Sequence, residues 1–333
     1  MEIFLSNLEK PIYIKSMQPD SKQIYCVRTV ICACILLLSG PFPTTVAAGE
    51  MAFRLAEIAP GVYLHQGVTV DFNDPRHDDI ANIGFIVGSK CIAVIDTGGS
   101  VKIGTALHAA IRGISDLPVC YVINTHVHFD HILGNLSFIG DKPEFIGHAG
   151  LADAIEASRA FFLKEFSAEL GGTPSEKSVI GPTRTVRERL TLDLGGRKLL
   201  LTAWPPAHTH ADLTVLDGQT GTLWTGDLLF REHIPVLDGS LKGWLSVIKT
   251  LKTIAVKKIV PGHGPPGDTW EVMSAQENYL NNLLRETRKA IAGGVFMEDA
   301  INTIGRGEKD HWLLFEQHHR TNVSKAYVEL EWE

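Results

Sequence analysis

Residues 125–131 read THVHFDH, placing His126, His128, Asp130 and His131 within seven positions. Imidazole nitrogen and carboxylate oxygen are the donors that hold zinc at about 2.0–2.2 Å. A solvated polar loop is the plain alternative for such a run. Three further segments weigh against it: His208 lies in PAHTHAD, Asp227 in LWTGDLLF and His263 in IVPGHG. A four- to five-coordinate ion cannot use all seven side chains. Two ions about 3.5–4 Å apart can, sharing a carboxylate and a water. Structural zinc sites normally close with four ligands, often thiolates. Neither Cys91 nor Cys120 is near the motif, so the expected centre is open and catalytic. His210 is the alternative to His208; the spacing to Asp212 favours His208.

Alternating strands and helices must carry these groups. Strands are expected over 53–58 and 62–66 around the Pro60-Gly61 turn, and over 82–87 and 91–96 around Gly88. A helix follows over 101–114, then an apolar strand over 119–124 that ends at the histidine cluster. A second helix is expected over 150–170. Strands follow at 185–194, 198–204, 213–216 and 221–225, then a helix at 242–254, a strand at 258–260 and a helix at 268–292. Strands running into helices in both halves imply two similar layers packed sheet to sheet, with helices outside. The metal-type residues fall just after strands, where open α/β sheets build sites. Asp96 ends one of these strands, either to cap it or to orient a ligand. Trp312, Glu316, His318, His319 and Asn322 lie in a C-terminal segment expected to pack as a helix, with cover over the site as the alternative.

The chain has 333 residues, a net charge of −7 and no long basic run, which argues against nucleic acid as a partner. Its N-terminus differs from the body. Residues 30–38 are an apolar run preceded by Lys22 and Arg28 and followed by Val46-Ala47-Ala48. The run is far shorter than the roughly 20 residues of a membrane span. A basic flank, a short apolar stretch and small residues at a cut site are the signature of a secretory signal peptide, here residues 1–48. Met17 offers a second start. Cleavage would remove Cys26, Cys32 and Cys34 and leave no stable membrane span. Cys91 and Cys120 would remain, expected as two small buried thiols, with a disulfide as the alternative.

With these motifs assembled, the chain resembles the metallo-β-lactamase-fold hydrolases. The HxHxDH motif of that family matches His126, His128, Asp130 and His131. Its later histidines match His208 and His263, and the bridging aspartate of its hydroxyacylglutathione-hydrolase branch matches Asp227 in TGDLLF. Ala211 stands where glycine is usual. The resemblance covers roughly residues 52 to 270. It implies an α/β fold, the αββα four-layer sandwich, with a C-terminal helical extension beyond it. The segments DIANIGFIVG, CIAVIDTGGS, VINTHVHFDHILGN and NVSKAYVELEWE are similar to the exported zinc metallohydrolases of the quinoprotein relay system.

Together these readings predict a signal peptide at 1–48, a catalytic domain at 49–270 and a helical extension at 271–333 packed on that domain. The expected protein is a periplasmic hydrolase with two zinc ions, acting on an ester, thioester or amide-like small molecule. Asp130 and Asp227 are the expected catalytic carboxylates. The implied partners are that substrate and, through the resemblance, a quinoprotein dehydrogenase pathway. The alternatives are a non-hydrolytic metal-binding accessory of that pathway and a lactam hydrolase.

Overall fold

The computed structural model describes residues 53–333, so the expected signal peptide lies outside the described residues. The first half runs β1 (Ala56–Ala59), β2 (Val62–His65), β3 (Ile83–Val87), β4 (Ile92–Ile95), α1 (Val101–Ile114), β5 (Val119–Ile123), a short α2 (Phe129–Ile132), β6 (Glu144–His148), α3 (Leu151–Glu165) and β7 (Arg184–Val186). These strands form a seven-stranded sheet in chain order, antiparallel from β1 to β4 and parallel from β4 to β7. The second half runs β8 (Arg189–Asp193), β9 (Lys198–Ala203), β10 (Leu213–Asp217), β11 (Thr222–Phe230), α4 (Leu241–Leu251), β12 (Lys258–His263), α5 (Ser274–Ala292), α6 (Met297–Thr303) and α7 (Phe315–Leu330). Its five strands order as β12-β11-β10-β9-β8, with only β11 and β12 parallel.

Alternation within the strands explains the layering. In β4, Ala93 and Ile95 face the second sheet, joining Leu201, Val215 and Trp224 in the central core. Ile92 and Val94 point the other way, against Ile103, Leu107 and Ile111 of α1. On the far side, Leu223 and Ile259 of the second sheet pack against Trp244 and Ile248 of α4, with Tyr279 of α5 and Val323 of α7 in the same cluster. The result is the expected αββα sandwich, with its C-terminal helices on the outer face of the second sheet.

Three expectations are corrected. Residues 185–194 are not one strand: β7 closes the first sheet and β8 opens the second, so the chain crosses layers at Arg187 and Glu188. The strand β6 was not expected, because EFIGH begins with an exposed glutamate and shows no clean alternation. The helix expected over 268–292 starts as a tight turn at Trp270–Met273 before α5 begins. Cys91 is buried and Cys120 half-buried, and both are free thiols. Ile92 pairs with Val119 and Ala93 with Tyr121, which leaves Cys120 as the extra residue of a β-bulge.

Candidate metal centre

The seven residues singled out by the sequence converge at one edge of the sandwich. The turn after β5 carries His126 and His128, and α2 carries Asp130 and His131. His208 lies between β9 and β10, and His263 ends β12. Asp227 sits inside β11 rather than beyond its end, because that strand runs on to Phe230. The register of β11 against β12 shifts on either side of Gly226, next to Asp227. A side chain at Gly262 would place its Cβ 1.8 Å from Asp227 Oδ1, so glycine there makes room for the carboxylate.

Two groups of ligand-type atoms result, each with its atoms within 4.8 Å of one another: His126, His128, His208 and Asp227 in one, Asp130, His131 and His263 in the other. Asp227 stands between them. Its Oδ1 lies 3.2 Å from His131 Nε2, and its Oδ2 lies 3.5 Å from His126 Nε2, 3.4 Å from His208 Nε2 and 3.3 Å from His263 Nε2. Asp130 Oδ2 is 3.4 Å from His131 Nε2 and 3.3 Å from His263 Nε2. The His208 Nε2 and His128 Nδ1 atoms approach to 3.1 Å.

The outer nitrogen of every ring has its own acceptor. His131 Nδ1 donates to Asp96 Oδ2 at 2.8 Å, His208 Nδ1 to the Val236 carbonyl at 2.6 Å and His263 Nδ1 to the Ile80 carbonyl at 2.9 Å. His126 Nδ1 lies 3.0 Å from Thr125 Oγ1, whose own proton goes to Asp96, so the ring is the donor. His128 uses Nε2 on the outside, 3.4 Å from Asp238 Oδ2. Each partner fixes a tautomer and leaves a lone pair on the inner nitrogen, the arrangement typical of metal-binding histidines. Inside the centre, His126 Nε2, His131 Nε2 and Asp227 Oδ1 are buried without a hydrogen-bond partner. Buried polar atoms are rarely left so, and cations held by the two groups would satisfy all three. The donor set therefore fits one or more divalent metals.

Electrostatics agree. Burial pushes His208 down to about 3 and His126 well below the usual histidine range, so both rings stay neutral. Burial acts the same way on His263, but Asp227 and Asp130 outweigh it and hold the ring up to about 9. His131 is likewise raised, by Asp227, Asp130 and Asp96 against its burial. The carboxylates thus favour positive charge at this point of the centre.

Asp96 pins the centre to the first sheet. Its Oδ1 accepts from Thr125 N at 2.8 Å, and its Oδ2 from Thr125 Oγ1 at 2.7 Å and from His131. The residue holds a φ of 52°, a left-handed conformation uncommon for a side-chain-bearing residue and typical of functional positions. It ties the His131 ring to the Thr125 turn and does not merely cap a strand.

A family model described as the metallo-beta-lactamase superfamily matches residues 77–263, a span that includes all seven of these residues. The chain belongs to the metallo-beta-lactamase superfamily. Within it, the chain is 23% identical over 237 residues to a linear primary-alkylsulfatase of Pseudomonas sp., covering 60% of this chain and 43% of that protein. It is 27% identical over 205 residues to a probable metallo-hydrolase of Methanocaldococcus jannaschii, covering 56% of this chain and 89% of the relative. The fold resembles a metallo-beta-lactamase from Pontibacter korlensis, with a TM-score of 0.56, 20% identity, and 69% and 99% of the two chains covered. It also resembles the inverting sec-alkylsulfatase of Pseudomonas sp., with a TM-score of 0.64, 16% identity, and 83% and 50% covered. The chain thus spans less than half of the first of these sequence relatives.

The structure separates the superfamily centre from its surroundings. His210 is exposed, whereas His208 is buried and faces Asp227. Asp212 accepts from Thr209 N and Oγ1, bracing the turn that presents His208. Among the C-terminal residues, His319 and Asn322 are buried and bonded to Tyr279, Trp312 packs in the same cluster, and Glu316 pairs with Arg306 and Lys309 on the surface. Only His318 approaches the centre, its ring 5.1 Å from that of His233, which is 5.4 Å from His263. The sequence reading missed His233 and Asp238, since neither sits in a metal-binding spacing.

Proposed function

We propose that the protein is a dinuclear zinc hydrolase, exported to the periplasm, acting on an ester, thioester or amide-like small molecule. The observation that carries this reading is the convergence of five oriented imidazoles and two carboxylates on a buried point with unpartnered atoms. His126, His128 and His208 would hold one ion and Asp130, His131 and His263 the other, with Asp227 shared. Nitrogen and oxygen donors without thiolate suit zinc in an open catalytic site. When bound, such ions supply an acidified water as nucleophile and polarise the electrophile. The chain's own part is to hold the rings in one tautomer and to keep Asp130 and Asp227 ionised. Buried contacts with His131 and His263 hold both carboxyls well below the usual range despite their burial. Asp130, kept ionised with one oxygen facing both rings, would take a proton from the attacking water and pass it to a leaving group.

The described residues 53–333 belong to one compact unit, which supports a catalytic domain running to residue 270 with the 271–333 extension packed on it. Among the described residues no helix is long and apolar enough to cross a membrane. Export rests on the apolar run and cut site within 1–48. The link to a quinoprotein dehydrogenase pathway rests on the resemblance of the segments named above. Metal analysis and a substrate panel test the reading together. The expected result is two zinc equivalents and chelator-sensitive hydrolysis of at least one ester, thioester, β-lactam or alkyl sulfate. The alkyl sulfates enter the panel because two of the similar proteins are alkylsulfatases. Two equivalents with no turnover across the panel favour the non-hydrolytic accessory, and a protein that takes up no zinc refutes the reading.

A further inference from the structure

The C-terminal helix holds one half of the centre. Three residues of α7, Asn322, Lys325 and Glu329, are spaced at i, i+3 and i+7 and so share a face. All three bond to residues 235–242. Asn322 accepts from Leu237 N at 2.9 Å and donates to the Pro235 carbonyl at 2.7 Å. Lys325 Nζ donates to Asp238 Oδ1 at 2.8 Å. Glu329 accepts from Ser240 Oγ at 2.8 Å, from Leu241 N at 2.6 Å and from Lys242 N at 3.2 Å. The segment gripped in this way surrounds His208: Asp238 N and Gly239 N donate to its carbonyl at 2.9 and 2.7 Å, and the Val236 carbonyl takes its ring proton. The same segment supplies Asp238, the outer acceptor of His128.

The second group is anchored elsewhere. His131 rests on Asp96, and His263 rests on the Ile80 carbonyl. The backbone beside His263 is fixed by Asn82, which donates from Nδ2 to the Pro261 and Gly264 carbonyls and from its backbone N to that of Gly262. These anchors lie just past the end of β4 and in the connection leading into β3. None comes from α7.

We infer that α7 is a positioning element for the three-histidine subsite alone, acting through Lys325 and Asp238 on His128 and through Asn322 and the Val236 carbonyl on His208. The inference rests on the metal reading above and adds to it a division of labour: the C-terminal extension sets the affinity of one subsite and leaves the other to the first sheet. Removing an outer partner of a metal-binding histidine costs about 10- to 100-fold in metal affinity. The Lys325–Asp238 pair is about half exposed on both sides, so losing the lysine alone should cost less, about two- to fivefold.

The test uses the full protein with zinc as the probe, titrated against a competing chelator, with imidazole 1H–15N spectra showing which rings carry metal. In Asp238→Ala, one binding step should weaken about 10- to 100-fold, with His128 and His208 losing their metal-bound signals first. The step reported by His131 and His263 should keep its affinity. Lys325→Met should weaken the same step by the smaller factor, and Lys325→Arg should restore it. Unchanged affinities in Asp238→Ala, or equal weakening of both steps, overturn the inference while leaving the metal reading intact. If the wild-type protein takes up no zinc, both fall. Thermal melting of the metal-free variants separates the outcomes further, because general loosening would lower the melting temperature and weaken both steps together.

Discussion

Replacing Asp96 by asparagine tests whether outer partners set the chemistry of the centre. The carboxylate is 1% exposed and accepts three hydrogen bonds, from Thr125 N, Thr125 Oγ1 and His131 Nδ1. An amide is isosteric but has a single acceptor oxygen. With that oxygen at the Oδ1 position, its NH2 meets the His131 Nδ1 proton. The ring must then lose its partner or move its proton to Nε2, the atom that faces the metal point. With the oxygen at the Oδ2 position, the NH2 meets the Thr125 backbone N–H. Either way one buried donor is unpaired, at a cost of about 1–3 kcal/mol. At about 1.4 kcal/mol per tenfold change, this agrees with the 10- to 100-fold affinity loss general for such partners. The expected result is that the step reported by His131 weakens by about that factor, while circular dichroism shows an intact fold. Chelator competition and melting of the metal-free protein measure both quantities. An Asp96→Asn protein with wild-type zinc affinity and wild-type melting would refute the argument that Asp96 sets the His131 tautomer.

Asp227→Asn should lose at least one of the two proposed zinc equivalents with the fold retained, because Asp227 is the carboxylate facing His126, His131, His208 and His263 together; full metal content in the variant would sink the shared-ligand assignment. Burial lifts Asp212 to about 6, against two opposing hydrogen bonds from Thr209. A carboxyl raised in the folded state contributes stability that is fully present below its unfolded value near 4 and is lost as pH rises through about 6. The loss is on the order of 3 kcal/mol at 1.36 kcal/mol per unit. Melting of the metal-free protein between pH 4 and 7 should therefore show a component that Asp212→Asn removes, and identical pH profiles would count against it. The export proposal predicts a mature N-terminus at Gly49, read by sequencing protein recovered from the periplasm; a chain retained in the cytoplasm with residues 1–48 attached would contradict it.

What could be read in the sequence was local. Short apolar runs, two of them flanking the turn at Gly88, marked β3, β4, β5 and β9, and the HxHxDH spacing marked four of the seven residues of the centre, because turn chemistry and reach within a short turn depend on near neighbours only. The remaining three were legible as histidine or aspartate placed after a strand. What the tertiary structure decided was non-local. His208 prevails over His210 because the turn braced by Asp212 buries one ring against Asp227 and leaves the other in water. The partner of His263 is 183 residues away at Ile80, and that of His128 is 110 residues away at Asp238. No spacing rule reaches so far, since those contacts exist only once the two sheets have packed. The split of residues 185–194 between sheets has the same origin. Each half is a sound strand locally, and both Val186 and Leu192 enter the same central core, so only the backbone partner assigns a layer: β6 for Val186, opposite His148, and β9 for Leu192, opposite Leu199.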